Sequence, residues 1–214
     1  ENLSKAFSLP LAGIGTAAIL AATNVDKAFA QIRRGTGATG SQLKGLQNDF
    51  RAVFRQVDDS AEVVGQALAD LNTRTGAAGK ELQGLTKTML DLAEVSGKDV
   101  NGIITASTRL FGDWGIATKD ATATLDNLWR VSQSTGIGID ELAAKLTYAG
   151  APLRQFGFDL ETSAALLGKW EKEGVNAELL IGGLRVALGK LSAAGINDVG
   201  AALAETMEQI KAAG

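Results

Sequence analysis

The chain has no cysteine, no histidine, two prolines and a single tyrosine among its 214 residues. Without cysteine it can build neither a disulfide framework nor a thiolate metal site. Without histidine it lacks the commonest zinc ligand and the commonest general base, which excludes a histidine-zinc peptidase and a Ser-His-Asp type triad within these residues. Aromatic residues make up only 5% of the chain, and no segment sustains the apolar/polar alternation of a strand. Ala, Leu and 26 glycines dominate instead. Ala and Leu lose little freedom in a helix, whereas β-branched and aromatic residues favour sheet, so the composition predicts an all-α fold. The length suffices for one core without metals or disulfides, and a hydrophobic share of 45% with 21% charge argues against disorder.

Charge is uneven. Residues 1–57 carry seven Lys/Arg (Lys5, Lys27, Arg33, Arg34, Lys44, Arg51, Arg55) against Glu1, Asp26 and Asp49, a balance of +4 that leaves −7 for the remainder of a chain whose net charge is −3. These bases are scattered along helical patterns and have no aromatic stacking platform beside them. They read as solvated helix faces rather than a specific nucleic-acid site.

Apolar stripes at helical spacing recur: Leu43, Leu46, Phe50, Val53, Phe54 and Val57; Leu82, Leu85, Met89 and Leu92; Leu180, Leu184, Ala187, Leu188 and Leu191; Val199, Leu203, Met207 and Ile210. Between stripes stands a repeated device, Gly followed by an apolar residue and Asn or Asp. It occurs at Gly138-Ile139-Asp140, Gly157-Phe158-Asp159, Gly174-Val175-Asn176 and Gly195-Ile196-Asn197, with Gly97-Lys98-Asp99 as a weaker version. Glycine ends one helix in the left-handed conformation, Asn or Asp caps the next, and the residue between packs on both. A related frame, Thr75-Gly76 to Glu81-Leu82 and Thr135-Gly136 to Glu141-Leu142, suggests a duplication sixty residues apart. The pattern predicts a compact module of short helices joined by glycine corners, with a longer N-terminal helical arm. The expected organisation is an arm over 1–57 with a Gly/Thr-rich linker at 34–41, a helical core module over 58–195, and the start of a further, truncated helix over 196–214. Pro10 is expected in the first turn of the arm's long helix.

Candidate chemistry is thin. The carboxylate pairs Asp58/Asp59, Asp140/Glu141 and Glu171/Glu173 are available for acid/base work, but Asp140 reads as a cap and Glu141 as a first-turn acid favoured by the helix dipole. A glycosidase needs only carboxylates, so composition alone does not exclude one. The stretch from Gly35 to Gly40 has no Gly-Lys-Ser/Thr ending and no preceding strand, so it is not a phosphate loop. Trp114, Trp129 and Trp170 sit among helical Leu and Ile and read as core anchors. No catalytic, cofactor-binding or metal-binding residue is assigned, and no cofactor is expected. Residues 6–25 carry no charge and have the length of a membrane span, but Ser8, Pro10, Gly13, Gly15, Thr16, Thr23 and Asn24 dilute them into a buried or self-associating helix.

Ala67-Leu68-Ala69-Asp70-Leu71-Asn72-Thr73-Arg74-Thr75-Gly76, then Leu90-Asp91-Leu92-Ala93-Glu94-Val95-Ser96-Gly97, then Glu173-Gly174-Val175-Asn176-Ala177 with Gly183-Leu184-Arg185, resemble the core region of phage tail tape-measure proteins. The resemblance runs from about residue 25 to 195. It implies a structural, non-enzymatic component of a tailed phage or prophage that lies in the lumen of the tail tube, sets tail length and is released ahead of the DNA. Implied partners are further copies of itself, the tail tube protein, tail assembly chaperones and the tail-tip or baseplate hub, with host-membrane contact by other parts of the parent chain. The implied location is the virion, after assembly in the host cytoplasm. Two other readings fit the stripes and corners: a general helical scaffold or interaction module, and a membrane-active helical protein using residues 6–25.

Overall fold

The computed structural model describes residues 16–196 and 198–202, with side chains from residue 24 onward. Pro10, Asn197 and the apolar positions Leu203, Met207 and Ile210 lie outside the described residues. Among those described, the fold is all-α, with nine bounded helices and no strand: α1 Thr16–Thr36, α2 Gly40–Phe54, α3 Ala61–Thr75, α4 Gly79–Ser96, α5 Val100–Trp114, α6 Thr118–Thr135, α7 Ile139–Gln155, α8 Leu160–Lys172 and α9 Ala177–Ala193. Residues 199–202 are also helical.

The helices gather into two compact units. One runs to Thr108 and takes in Ala117–Thr122; the other comprises Arg109–Ile116 and the chain from Ala123 onward. In the first unit α1 packs along α3, and α2 and α3 each pack against α4. Their stripes interlock as spacing predicts: Leu46, Phe50 and Val53 of α2 and Leu82, Leu85, Met89 and Leu92 of α4 are all buried. Burying each of these larger side chains contributes roughly 1.5–3 kcal/mol. Phe50 meets the Phe29 ring edge-on at 5.4 Å and stacks on Phe54 at 5.3 Å. Residues on both sides of position 57 therefore share one core, and the unit boundary follows this packing rather than the glycines at 34–41. That stretch, expected to be a linker, is a tight corner in which Ala38 is 2% exposed.

The helix ends show how the corners work. Thr36 and Thr75 each donate a hydroxyl hydrogen bond back to the carbonyl four residues earlier, at 2.7 and 2.6 Å, and each accepts the N–H two residues onward, from Ala38 and Ala77. Thr135 and Ser96 make the same backward bond to Val131 and Leu92. The following glycine takes positive φ, for example 70° at Gly76, where a Cβ would be strained.

Asp99, Asp159 and Asn176 cap the helices after them, accepting from the backbone N–H of Gly102, Thr162 and Leu179 at 2.9, 2.7 and 3.0 Å. One expected cap is corrected. Asp140 is not at the N-cap position: α7 starts one residue before it, with Gly138 at the N-cap, so Asp140 stands in the first turn. After Gly195, Asp198 receives the N–H of Ala201 at 2.9 Å.

Asp159 carries a testable consequence. Hydrogen bonds from Thr162 hold its carboxyl below the usual aspartate range. A group depressed in the folded state stabilises above its unfolded pKa and loses that contribution as pH falls through the folded value. Asp159→Ala is expected to cost about 1 kcal/mol near neutral pH. In urea unfolding the gap to wild type should close progressively in acid.

The two units of sequence flanking these corners also match. Thr36-Gly37-Ala38-Thr39-Gly40-Ser41-Gln42-Leu43-Lys44-Gly45-Leu46 repeats as Thr75-Gly76-Ala77-Ala78-Gly79-Lys80-Glu81-Leu82-Gln83-Gly84-Leu85, 39 positions on. Helix starts keep the same step, at Gly40, Gly79 and Thr118 for one series and Ala61, Val100 and Ile139 for the other, with α8 and α9 within three residues of its continuation. The protein is built on a 39-residue helix pair. The sixty-residue frame read from Thr75 and Thr135 joins the ends of α3 and α6, which hold non-equivalent places in that pair.

Candidate interaction surface

In the second unit α7 packs against α8 and α9, and α8 against α9. Gly168 lets α8 come close to α6: a Cβ there would stand 2.8 Å from Val131 Cγ1 and 2.9 Å from Thr135 Cγ2. Gly150 of α7 serves the same end beneath Trp114, whose indole Nε1 would lie 3.1 Å from an added Cβ. That nitrogen donates to the Leu146 carbonyl at 3.2 Å, and the Arg154 guanidinium covers the ring at 4.8 Å. The three tryptophans are half-buried. Trp114 spans the boundary between core and solvent rather than filling the interior.

Between α7, α8 and α9 lies a groove of about 260 Å³ lined by Ala144, Tyr148, Ala149, Leu167, Ala177 and Ile181, together with Lys145 and Glu178. Lys145 bonds Glu171 of α8 at 2.7 Å and Glu141 of its own helix at 3.2 Å. Chiefly the Glu171 hydrogen bond, partly opposed by burial and reinforced by Glu141, holds its ammonium above the ordinary lysine range. Arg185 of α9 lies 4.3 Å over the Tyr148 ring and donates to the Tyr148 carbonyl at 2.8 Å, clamping α9 to α7. Arg185 also walls a second groove of about 350 Å³, beside Pro152, Gln155 and Leu188.

The structure regroups the carboxylate pairs read from sequence. Glu141 and Glu171, from different pairs, meet on Lys145, and Glu173 faces Lys169 at 3.8 Å. Asp59 is pushed up by burial first, then by Glu94, Asp91 and Asp58. Among the described residues no group of acids is arranged to hold a metal ion. Nor is any described helix long and apolar enough to cross a membrane, and residues 6–15 of the uncharged N-terminal segment lie outside the described residues. Lys145, Tyr148 and Arg185 were not marked by any sequence motif for the groove, because their pairing depends on which helices meet. What the surface can do chemically is hold apolar side chains beside fixed charges, the chemistry of docking.

Comparison with known proteins fits this picture. A tape measure protein of Pneumococcus phage Dp-1 is 24% identical over 192 residues, covering 90% of this chain. The chain spans 17% of that relative's length. No solved structure matches. The family model described as phage-related minor tail protein matches residues 47–214, which is most of the chain, and the chain accordingly belongs to the phage-related minor tail protein family.

Proposed function

We propose that this chain is a helical module of a tail tape-measure protein, one that lies in the tail tube lumen, contributes to setting tail length during assembly and leaves ahead of the DNA. The observation that carries this reading is the likeness to the Dp-1 tape measure protein along 90% of the chain, together with family membership over residues 47–214. Its partners on this reading are the tube protein, assembly chaperones, the tip or hub, and other copies of the parent chain. It acts by occupying and docking, with no reaction of its own.

The fold qualifies the ruler. A continuous helix of this length would reach about 320 Å at 1.5 Å per residue. The longest described helix has 21 residues, about 32 Å, and its neighbours fold back on it. The module therefore adds less length per residue than a continuous helix does. Deleting residues 79–117 in frame from the parent gene removes one 39-residue helix pair, which as continuous helix is worth about 58 Å. Electron microscopy of the resulting particles is expected to show tails shortened by clearly less than that. Tails whose length ignores every deletion in the parent chain would remove the ruler role, and shortening by the full helical length would remove the folded-module reading.

A further inference from the structure

We propose that residues 199–214 form the first helix of a further pair and that this helix seats on α8, on the side turned away from α6, with Leu203 and Met207 against Leu166 and Trp170. The described residues already place its first turn. Val199 is 5% exposed. A Cβ added at Gly200 would stand 3.3 Å from Gly157 Cα and 3.5 Å from Gly157 N, so the new helix starts backbone to backbone against the corner that opens α8. The two corners are built alike. The Phe158 N–H donates to the Leu153 carbonyl at 3.1 Å, and the Ile196 N–H to the Leu191 carbonyl at 2.9 Å. Asp159 then caps α8 by accepting from Thr162, and Asp198, 39 positions on, accepts the N–H of Ala201.

The seat follows from the register of the contacts. Within each unit, hydrogen bonds between helices two apart in the chain join residues 30 to 38 positions apart, as Gln83 with Asp49 at 34, Lys172 with Ser134 at 38 and Arg185 with Tyr148 at 37. α8 meets α6 through Gly168, beside Val131 and Thr135. At 100° per residue Leu166 and Trp170 each stand about 160° from Gly168, on either side of the point opposite α6. Both are half-buried. A step of 37 from them reaches Leu203 and Met207. Those two are four apart, so one helix face presents them together. Met207 brings a flexible thioether to the Trp170 indole, a favourable pairing, and Leu203 covers Leu166. Glu205 falls on the opposite face, toward solvent. The register that sets α8 on α6 therefore sets the next helix on α8, and what covers α8 is the chain's own continuation. The seat is a property of the fold, independent of any role in a tail.

Because the 214-residue chain has no cysteine, paired cysteines placed in it test the seat directly. Under mild oxidation of dilute protein, Leu166→Cys with Leu203→Cys, and Trp170→Cys with Met207→Cys, are expected to close a disulfide within one chain, read by migration on non-reducing gels and loss of free thiol. Leu166→Cys with Glu205→Cys puts the second thiol on the far face of the new helix and should close roughly tenfold more slowly. If neither seat pair closes, if the Glu205 control closes as fast, or if the links join two chains, the proposal is overturned; the last result would make a second copy the occupant. A melt by circular dichroism reads the same seat without altering α8. Met207→Asp should lower the melting temperature by about 4 °C, while Glu205→Ala stays near wild type. A Met207→Asp chain that melts with the wild type would equally overturn the proposal.

Discussion

Gly65→Leu is expected to lower the unfolding free energy by about 3 kcal/mol, at the upper end of what overpacking a tight site costs. Gly65 lies on α3 where α1 crosses closest: an added Cβ would sit 3.1 Å from Ala28 Cβ, 3.3 Å from its Cα and 3.5 Å from its carbonyl oxygen. Two of those atoms are backbone, so no rotamer change relieves the clash. Further along the same crossing a Cβ on Gly35 would stand 3.2 Å from Ala69 Cβ, and Ile32 and Leu68 beside it are completely buried. Separating the helices to admit leucine would loosen both contacts at once. The control is built into the repeat. Gly45 and Gly84 occupy matching positions in α2 and α4, with nothing within 4 Å of an added Cβ. Gly45→Ala and Gly84→Ala should stabilise by about 0.5–1 kcal/mol through helix propensity. Urea unfolding of the three variants separates packing from propensity; a Gly65→Leu chain as stable as wild type would show that α1 and α3 do not meet as described.

The elements of this fold were legible because helical periodicity and glycine corners are local signals. Leu82, Leu85, Met89 and Leu92 announce their face within three turns, and all four are buried. Asp159 and Asn176 announce the next helix one residue before it begins. The corner at Thr36 was misread because five small residues, Thr36 to Gly40, look the same whether they form a loose linker or a tight turn. What separates the two is the burial of Ala38 and the Thr36 hydroxyl bonds, and both require the helices to be in place. The 39-residue step was present in the sequence at Thr36 and Thr75, but the Thr135 frame competed with it and has the same chemistry. Helix starts were needed to tell equivalent corners from similar ones. The surface formed by Lys145, Tyr148 and Arg185 was beyond reach for a different reason, since the bonds that join it, Lys145 to Glu171 and Arg185 to Tyr148, cross between helices.

The repeat also gives the proposed function its physical form. A chain made of helix pairs that pack on their neighbours, as α1 lies on α3 within the first unit and α7 on α8 and α9 within the second, changes length by whole pairs, because each pair buries its apolar face mainly on its neighbours. Removing a fraction of a pair would expose a stripe such as Leu82, Leu85 and Met89, whereas removing 39 residues joins equivalent corners. Tail-length variants made in steps of 39 residues should therefore assemble where variants of intermediate size do not.

Asp49→Ala is expected to cost about 2–3 kcal/mol, more than an ordinary cap. The sequence offers Asp49 only as one acid among the basic residues of α2, yet it is 5% exposed. One carboxylate oxygen accepts the backbone N–H of Gly79 at 2.9 Å and the other the Gln83 side-chain amide at 2.7 Å. The N-cap residue of α4 is Ala78, which has no polar side chain. Asp49 thus supplies from α2 the side-chain acceptor that the N-cap of α4 lacks, and it adds its charge to that of Glu81 in the first turn. Alanine would leave a half-buried N–H and a half-buried amide without their acceptor and would weaken the hold of α2 on α4. Asp49→Asn keeps the shape and one oxygen and should lose about 1 kcal/mol. The decisive measurement is a rescue: Ala78→Asp placed in the Asp49→Ala background restores a local cap and should recover about 1 kcal/mol of unfolding free energy. In the wild-type background the same change sets two carboxylates on one helix end and should gain nothing. Equal gains in the two backgrounds would mean that Asp49 does not cap α4.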